Sequence, residues 1–473
     1  MTGAGHDTTT TYPHPCGRPG AGYAELGCCP RAQDAPRIST GFVAHTLCSA
    51  TFVSGVDPDQ TFAETMAAMP GVGLIGWALG YSIDRDRREV TGTLLGLSRA
   101  RARYSDGFGC RMVHDDAAVE AWPLPAEHPR RPLLPDIAGP APVEARSPEL
   151  QRALDHAFAE PEQPPRHTRA IVVLKDGRVI AERYAPGVGI DTPLLGWSAT
   201  KSVMSALTGI LVRQGKLALD LPAPVAAWQD SADPRHGITV DHLLRHTSGL
   251  AMGSSLSASL ASTVAPVNRM KYIEPDMAGF AEAAALDTPP GTAWNYHDGN
   301  TVILSRLIRD AVGGDAAAVL RFARSELFDP LGMRKVTLEF DATGTPEGSS
   351  QMLAPARAWA RFGQFYLDDG VVGGKRVLPA GWVERSVTPT AGVWVGIGAG
   401  FWTNRGASFG ATFRRSRGWP ADSFYASGTF GQYVVVLPSQ RLVIVRFGIS
   451  GDRGDIEGVS RLVAEVIAAT SDD

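Results

Sequence analysis

At 473 residues with 44% hydrophobic side chains, the chain is long enough to bury a large core and to form two or three domains. Its formal net charge of −4 and pI near 6.3 exclude the basic footprint of a nucleic-acid binder and a strongly acidic field. Five cysteines are too few for a disulfide scaffold, and no run of ~20 apolar residues is present to span a membrane.

Residues 1–40 are polar and rich in Gly, Pro and Thr, and read as a disordered leader. Cys16, Cys28, Cys29, His6 and His14 lie in it without the spacing of a zinc site. The basic start and apolar run of a secretory signal are missing, so the expected location is cytoplasmic, with periplasmic or secreted as the alternative. Residues 41–121 read as a small α/β accessory domain. It has a helical patch from Thr61 to Met69 and strand-like runs at Trp77–Ile83, Val90–Leu97 and Ala102–Tyr104, closed by a turn at Asp106-Gly107. Cys48 and Cys110 fall here and are expected to be small buried residues, pairing only in an exported protein. Gly71-Val-Gly-Leu-Ile-Gly76 has the dinucleotide-loop spacing, but it follows Met69-Pro70 and a helical patch where a strand is required, so no cofactor is expected. Eight prolines stand in the 27 residues from Trp122 to Pro148, which makes 122–146 a Pro-rich linker.

The remaining chain, 147–473, reads as one catalytic domain. Ser147-Pro148 caps a helix through about Ala159, and two β-rich runs between Ala170 and Tyr184 flank Asp176-Gly177 as a hairpin. From Leu194 to Lys216, Val203, Leu207, Ile210 and Leu211 recur at the helical period, and Gly215 suits the left-handed position after the helix end. Ser198 and Lys201 are three apart at the start of this helix and share a face that Ser205 extends. A serine hydroxyl needs a base within hydrogen-bond reach. A lysine serves only if its pKa falls well below ~10.4, so Lys201 is expected to be buried with a depressed pKa. Of the six lysines, only Lys201 has a serine three residues before it. Residues 220–335 are mostly helical with Pro/Gly interruptions. Gln432–Leu437 and Leu442–Phe447 flank Pro438–Arg441 as a second hairpin, and Ile456, Val459, Leu462, Val463, Val466 and Ile467 form the stripe of a last helix. Strands at both ends of a helical middle imply a sheet closed from distant segments. His242 and His246 are four apart but lack the glutamate of a zinc protease, and no Gly-x-Ser-x-Gly elbow occurs, so neither a metal site nor an α/β-hydrolase triad is expected.

Five motifs now stand in order: Ser198-Ala-Thr-Lys201, Leu243-Leu-Arg-His-Thr-Ser-Gly-Leu250, Pro290-Gly-Thr-Ala-Trp-Asn-Tyr-His-Asp298, Leu327-Phe-Asp-Pro-Leu-Gly-Met333 and Gly428-Thr-Phe-Gly-Gln432. In this order the chain resembles the serine β-lactamase and penicillin-binding-protein superfamily over about residues 147–470. The likeness is to its class C β-lactamase-like serine hydrolases, which include D-alanyl-D-alanine carboxypeptidases, family VIII esterases and 6-aminohexanoate-dimer hydrolase. The resemblance implies an α+β fold, an antiparallel sheet flanked by helices plus an all-helical subdomain, with the site between them. It implies that Tyr296 shares proton transfer with Lys201 and serves as general acid to the leaving group. Asp298 stands where the family has an amide, and reads either as a group holding Lys201 or the substrate or as an exposed turn residue. The third family motif is Lys-Thr-Gly or His-x-Gly, and the matching Ala426-Ser427-Gly428 lacks the cation that helps hold a substrate carboxylate. Backbone N–H groups of Ser198 and Thr429 would form the oxyanion hole, with Ser427 and Gly428 lining the substrate. Met252 to Gly279 is expected to form part of the pocket wall.

These readings converge on a metal-free serine hydrolase that cleaves a small ester or linear amide through an acyl-enzyme on Ser198. The alternatives are a catalytically silent relative binding a peptide or cell-wall fragment, or an active β-lactamase or D-Ala-D-Ala carboxypeptidase. No nucleic-acid partner is expected, and a homodimer is left open.

Overall fold

The computed structural model describes residues 32–69, 76–114, 122–124, 131–161, 164–256 and 263–471. Helix α1 (Ala35–Cys48) starts inside the stretch expected to be unfolded. Pro36 at its first turn presets the helical φ, and Ile38, Val43, Ala44 and Leu47 bury one face, a local signal hidden by the average composition of the leader. Helix α2 (Pro58–Ala68) is capped by Asp57, whose side chain accepts from the N–H groups of Asp59 and Gln60. Strands β1 (Leu79–Asp84), β2 (Glu89–Leu94), β3 (Ser98–Ser105) and β4 (Gly109–Val113) follow as an antiparallel meander in sequence order. Helix α1 lies so close over this sheet that a Cβ at Gly92 would stand 2.2 Å from the carbonyl oxygen of Thr40. Cys48 and Cys110 are not free buried thiols as expected. They form a disulfide that ties α1 to β4. The first five residues of the Gly-x-Gly-x-x-Gly pattern up to Ile75 lie outside the described residues, as do residues 1–31 of the leader.

The described part of the proline-rich segment is fixed along the rest of the chain. The N–H groups of Leu133 and Leu134 reach the carbonyl of Pro330, Val179 N–H reaches Ile137, and the Arg357 guanidinium holds the carbonyls of Gly139 and Ala141. Proline leaves these carbonyls free of local partners, and the second part of the chain supplies the donors.

That second part is built on strands β5 (Thr168–Lys175), β6 (Arg178–Tyr184), β7 (Leu194–Leu195), β8 (Thr337–Leu338), β9 (Met352–Ala354), β10 (Val371–Val372), β11 (Lys375–Arg376), β12 (Trp402–Thr403), β13 (Phe424–Gly428), β14 (Gln432–Leu437) and β15 (Leu442–Gly448). The main sheet is antiparallel in the order β12-β13-β14-β15-β5-β6, so the N-terminal hairpin closes onto the last strand. Asp176 and Gly177 both take positive φ, the requirement of the tight turn that joins β5 to β6. Alternate residues of β5 serve two layers. Ile171 and Val173 pack with α3 (Pro148–Phe158) and with Leu462, Val463 and Val466 of the helix Asp452–Ala469, whereas Val172 and Leu174 face Trp359 and Phe362 of the helix Ala356–Leu367. Each such side chain, fully buried, contributes about 1.5–3 kcal/mol. Against this second layer pack α4 (Thr200–Arg213) and a helical region that includes Pro266–Tyr272, Met277–Glu282, Asp298–Val312 and Ala316–Ala323. The fold is therefore mixed α and β with antiparallel sheets, and the N-terminal end of α4 sits between sheet and helical region.

Candidate functional site

Ser198 occupies a sharp corner. Strand β7 pairs with β9, Gly196 N–H donates to Met352 O, and a single turn at Trp197–Ala199 leads directly into α4. Trp197 holds a left-handed φ of 47°, uncommon for a bulky residue and maintained only by surrounding packing. Phe430, itself at φ 65°, meets the Trp197 ring edge-on at 5.3 Å between centroids, and Phe42 stacks on it at 6.1 Å. The corner leaves Ser198 partly exposed while its neighbours Trp197 and Ala199 are buried. The end of β13 runs beside it: a Cβ at Gly428 would lie 2.2 Å from Gly196 O and 3.1 Å from Ser198 N, so only glycine permits this approach. Ser427 and Gly428 are partly exposed, Thr429 is exposed, and the main chain from Gly428 to Thr429 thus stands next to that of Ser198.

One turn along α4, Lys201 is buried as expected. Its Nζ lies 3.0 Å from Ser198 Oγ, 2.7 Å from Asp298 Oδ1 and 2.8 Å from Ser349 O. An ammonium has three donors, and these are three acceptors. Its pKa does not move in the expected direction. Burial, the largest single influence, would lower it, but the Asp298 carboxylate and Tyr296 together outweigh burial and the net shift is upward. The physical reason is the carboxylate at the position where the family pattern has a neutral amide.

Asp298 begins the helix Asp298–Val312 and is buried, which rules out the exposed-turn reading. Its second oxygen, Oδ2, accepts from Lys271 Nζ at 3.3 Å. Burial opposes the charge on Asp298, but the two ammonium groups hold its carboxyl well below the usual carboxylate range. Lys271 comes from the short helix Pro266–Tyr272 and also donates to Ser350 Oγ at 2.7 Å, with Glu347 Oε1 3.8 Å away. Burial would lower the Lys271 pKa, and Glu347, Tyr272 and Asp298 together more than offset that. Lys271 was not singled out from sequence. A usable signal was present: a lysine between Met270 and Tyr272, ahead of a motif whose usual amide is an acid.

Tyr296 is also buried beside this group. Lys201 Nζ is 5.0 Å from the centroid of its ring, which packs on His246 at 4.4 Å and on Trp402 at 5.8 Å. Ser198, Lys201, Tyr296 and Asp298 are thus brought to one place. Trp294, Val393, Val395 and Ile397 pack with Tyr296 in an apolar and aromatic cluster. His242 and His246 do not make a pair. The His242 ring accepts from Thr239 N–H in a helix cap, while His246 and His297 flank the Asn300 amide. Ala426 is fully buried in the core, so no cation from that position reaches the site. Residues 257–262 of the expected pocket wall lie outside the described residues.

The family model described as Beta-lactamase matches residues 155–451. The chain belongs to the beta-lactamase family. A curated relative, the 6-aminohexanoate-dimer hydrolase of Paenarthrobacter ureafaciens, is 24% identical over 263 residues, a match covering 50% of this chain and 59% of that protein. Among solved structures, a Bacillus anthracis protein assigned as a 6-aminohexanoate-dimer hydrolase has a TM-score of 0.56 at 20% identity, covering 73% of this chain and 90% of that one. A penicillin-binding-protein homologue from Caulobacter crescentus has a TM-score of 0.53 at 18% identity, covering 71% and 100%. The family is one of hydrolases of the beta-lactamase fold, and the antiparallel sheet with flanking helices is that fold in this chain.

Proposed function

We propose that the protein is a serine hydrolase that cleaves a small ester or linear amide through an acyl-enzyme on Ser198. The observation that carries this reading is the 3.0 Å contact between Ser198 Oγ and Lys201 Nζ, at a corner where Ser198 is accessible and Lys201 is not. Ser198 Oγ attacks the carbonyl carbon, and its proton passes to the Lys201–Tyr296 pair. The oxyanion is held by the N–H groups of Ser198 and Thr429, which need no particular side chain. Tyr296 returns the proton to the departing alcohol or amine, and water then attacks the acyl-enzyme and releases the acid. Asp298 keeps Lys201 mainly as an ammonium, so the fraction able to accept a proton grows tenfold per pH unit below its pKa, and the rate rises with pH.

The apolar cluster packed on Tyr296 and the buried Ala426 offer no cation and favour a substrate without a carboxylate at the third motif. The name of the Paenarthrobacter relative supports the linear amide within that class. The test is hydrolysis of p-nitrophenyl butyrate, nitrocefin and the linear 6-aminohexanoate dimer by the wild type and by Ser198→Ala. Turnover of ester or amide but not nitrocefin, abolished by the substitution, is the expected result. Full activity in Ser198→Ala contradicts the nucleophile, and inactivity of the wild type on every substrate favours a binding protein.

A further inference from the structure

Lys271 is a buried cation for which the folding of its own helix has no need. The helix Pro266–Tyr272 already buries Pro266, Val267, Met270 and Tyr272, and an apolar side chain of similar length would fill the space without the desolvation cost of an ammonium. What the ammonium does touch is the apparatus that holds Lys201. Asp298 gives one oxygen to Lys201 and the other to Lys271. Lys271 also donates to Ser350 and faces Glu347, while Ser349, between them in sequence, gives its carbonyl to Lys201 and its hydroxyl to Glu347.

We infer that Lys271 is a positioning residue for the catalytic pair, a second ammonium that shares the Asp298 carboxylate and so limits how tightly that carboxylate retains the proton on Lys201. The inference rests on the reading of Ser198 and Lys201 as nucleophile and base. With Lys271 in place, Asp298 divides its charge between two cations, and Lys201 can give up a proton to become the base. Without it, Lys201 is the only cation facing a buried carboxylate and stays charged to higher pH. The electrostatic direction agrees: Lys271 acts to lower the proton affinity of Lys201, and Asp298 acts to raise it. The other titratable groups that face the pair are His246, His297, Tyr272, Glu347 and Tyr296. Burial pushes His297 down to about 4 and His246 well below its ordinary value, and burial pushes Tyr272 up to about 12. Glu347 is pushed up by burial and pulled back by Lys271 and by hydrogen bonds from Ser349 and Ser350. Tyr296, over whose ring Lys201 lies, is the remaining member of the cluster.

The experiment is the rate of covalent labelling by a fluorophosphonate from pH 6 to pH 11, which requires no knowledge of the substrate. The variants are Ser198→Ala, Lys271→Met, Lys271→Arg, Asp298→Asn and the double Lys271→Met/Asp298→Asn. In Lys271→Met the rising limb moves to higher pH by about one unit, so labelling at pH 8 slows by about tenfold, and Lys271→Arg restores it. In Asp298→Asn the limb moves to lower pH by about one unit or more, and labelling below the wild-type midpoint becomes faster. The double variant falls between the two singles. A merely structural role slows labelling at every pH and never accelerates it. Should Lys271→Met fail to fold, Lys271→Gln, which keeps a donor for Ser350 but removes the charge, takes its place with the same expected shift. A limb that stays at the wild-type pH in the folded variants overturns the inference while the Ser198 reading stands; undiminished labelling of Ser198→Ala overturns that reading itself.

Discussion

Phe42, from α1, stacks on Trp197, the residue immediately before Ser198. The same Phe42 ring meets Tyr272 edge-on at 6.0 Å, and Tyr272 follows Lys271. One side chain of the N-terminal part therefore braces two backbone segments of the site, one of them in a strained left-handed conformation. Replacing Phe42 by alanine should slow fluorophosphonate labelling of Ser198 by about tenfold, because small misplacements of a nucleophile are amplified in rate. Thermal melting, followed in parallel, should shift by only a few degrees, since Phe42 is partly exposed. Unchanged labelling would show that Trp197 is held without it.

The two parts of the chain also meet at a buried acid. Glu339 accepts hydrogen bonds from Ser49 Oγ at 2.8 and 3.0 Å and from Cys110 N–H at 2.8 Å, with His45 Nε2 3.6 Å away. Burial pushes the Glu339 carboxyl up to about 8 and pushes His45 down to about 4. Glu339 binds its proton more tightly when folded, so its contribution to stability is full below its ordinary value near 4.5 and is lost as pH rises through about 8. His45 has the opposite sign: its contribution is present above 6.5 and is lost as pH falls through about 4. The melting temperature should therefore decline between pH 6 and pH 8, and Glu339→Gln should flatten that decline. An equal decline in the variant would place the titrating group elsewhere.

The disulfide between Cys48 and Cys110 closes a loop with a sequence separation of 62. Chain-entropy arguments assign such a closure about 4 kcal/mol. Cys48→Ser should lower the melting temperature, and thiol titration of the folded wild type should find neither cysteine free. Bonds of this kind persist in oxidising compartments, so this result would favour the periplasmic or secreted alternative over the cytoplasm. Two reactive thiols at these positions would contradict the bond.

At the third motif, Ala426 is fully buried and only Ser427 and Gly428 face outward. A charge-assisted contact to a substrate carboxylate is worth about 1.5–3 kcal/mol, and strand β13 offers none from position 426. A p-nitrophenyl ester with a neutral acyl chain should exceed its analogue with a terminal carboxylate by about tenfold or more in kcat/KM. Equal values would mean that a cation from another element serves the carboxylate.

What could be read in the sequence was local. Ser198 and Lys201 lie within one turn, the β5–β6 and β14–β15 hairpins carry their own turns, and Tyr296 sits in a contiguous motif. What could not be read depends on long-range packing. Lys271 meets Asp298 across 27 residues and Ser350 across 79, and no periodicity reports such a meeting. The direction of the Lys201 shift was misjudged because burial was legible from the apolar helix, whereas the distance to Asp298 was not. Helix α1 escaped notice because its apolar face follows directly on a polar, Gly/Pro-rich stretch, and with it went the role of Phe42. Asp298 was recognised as unusual, but its burial between two cations became visible only once the helical region was folded against α4.

The proposed function depends on a covalent intermediate on Ser198. Acid-quenched protein, mixed briefly with p-nitrophenyl butyrate at alkaline pH and analysed by peptide mass spectrometry, tests it directly. One butyryl increment is expected on the peptide that carries Ser198, absent from Ser198→Ala. Turnover of the ester with no acylated peptide, or with the acyl group on another residue, would contradict it.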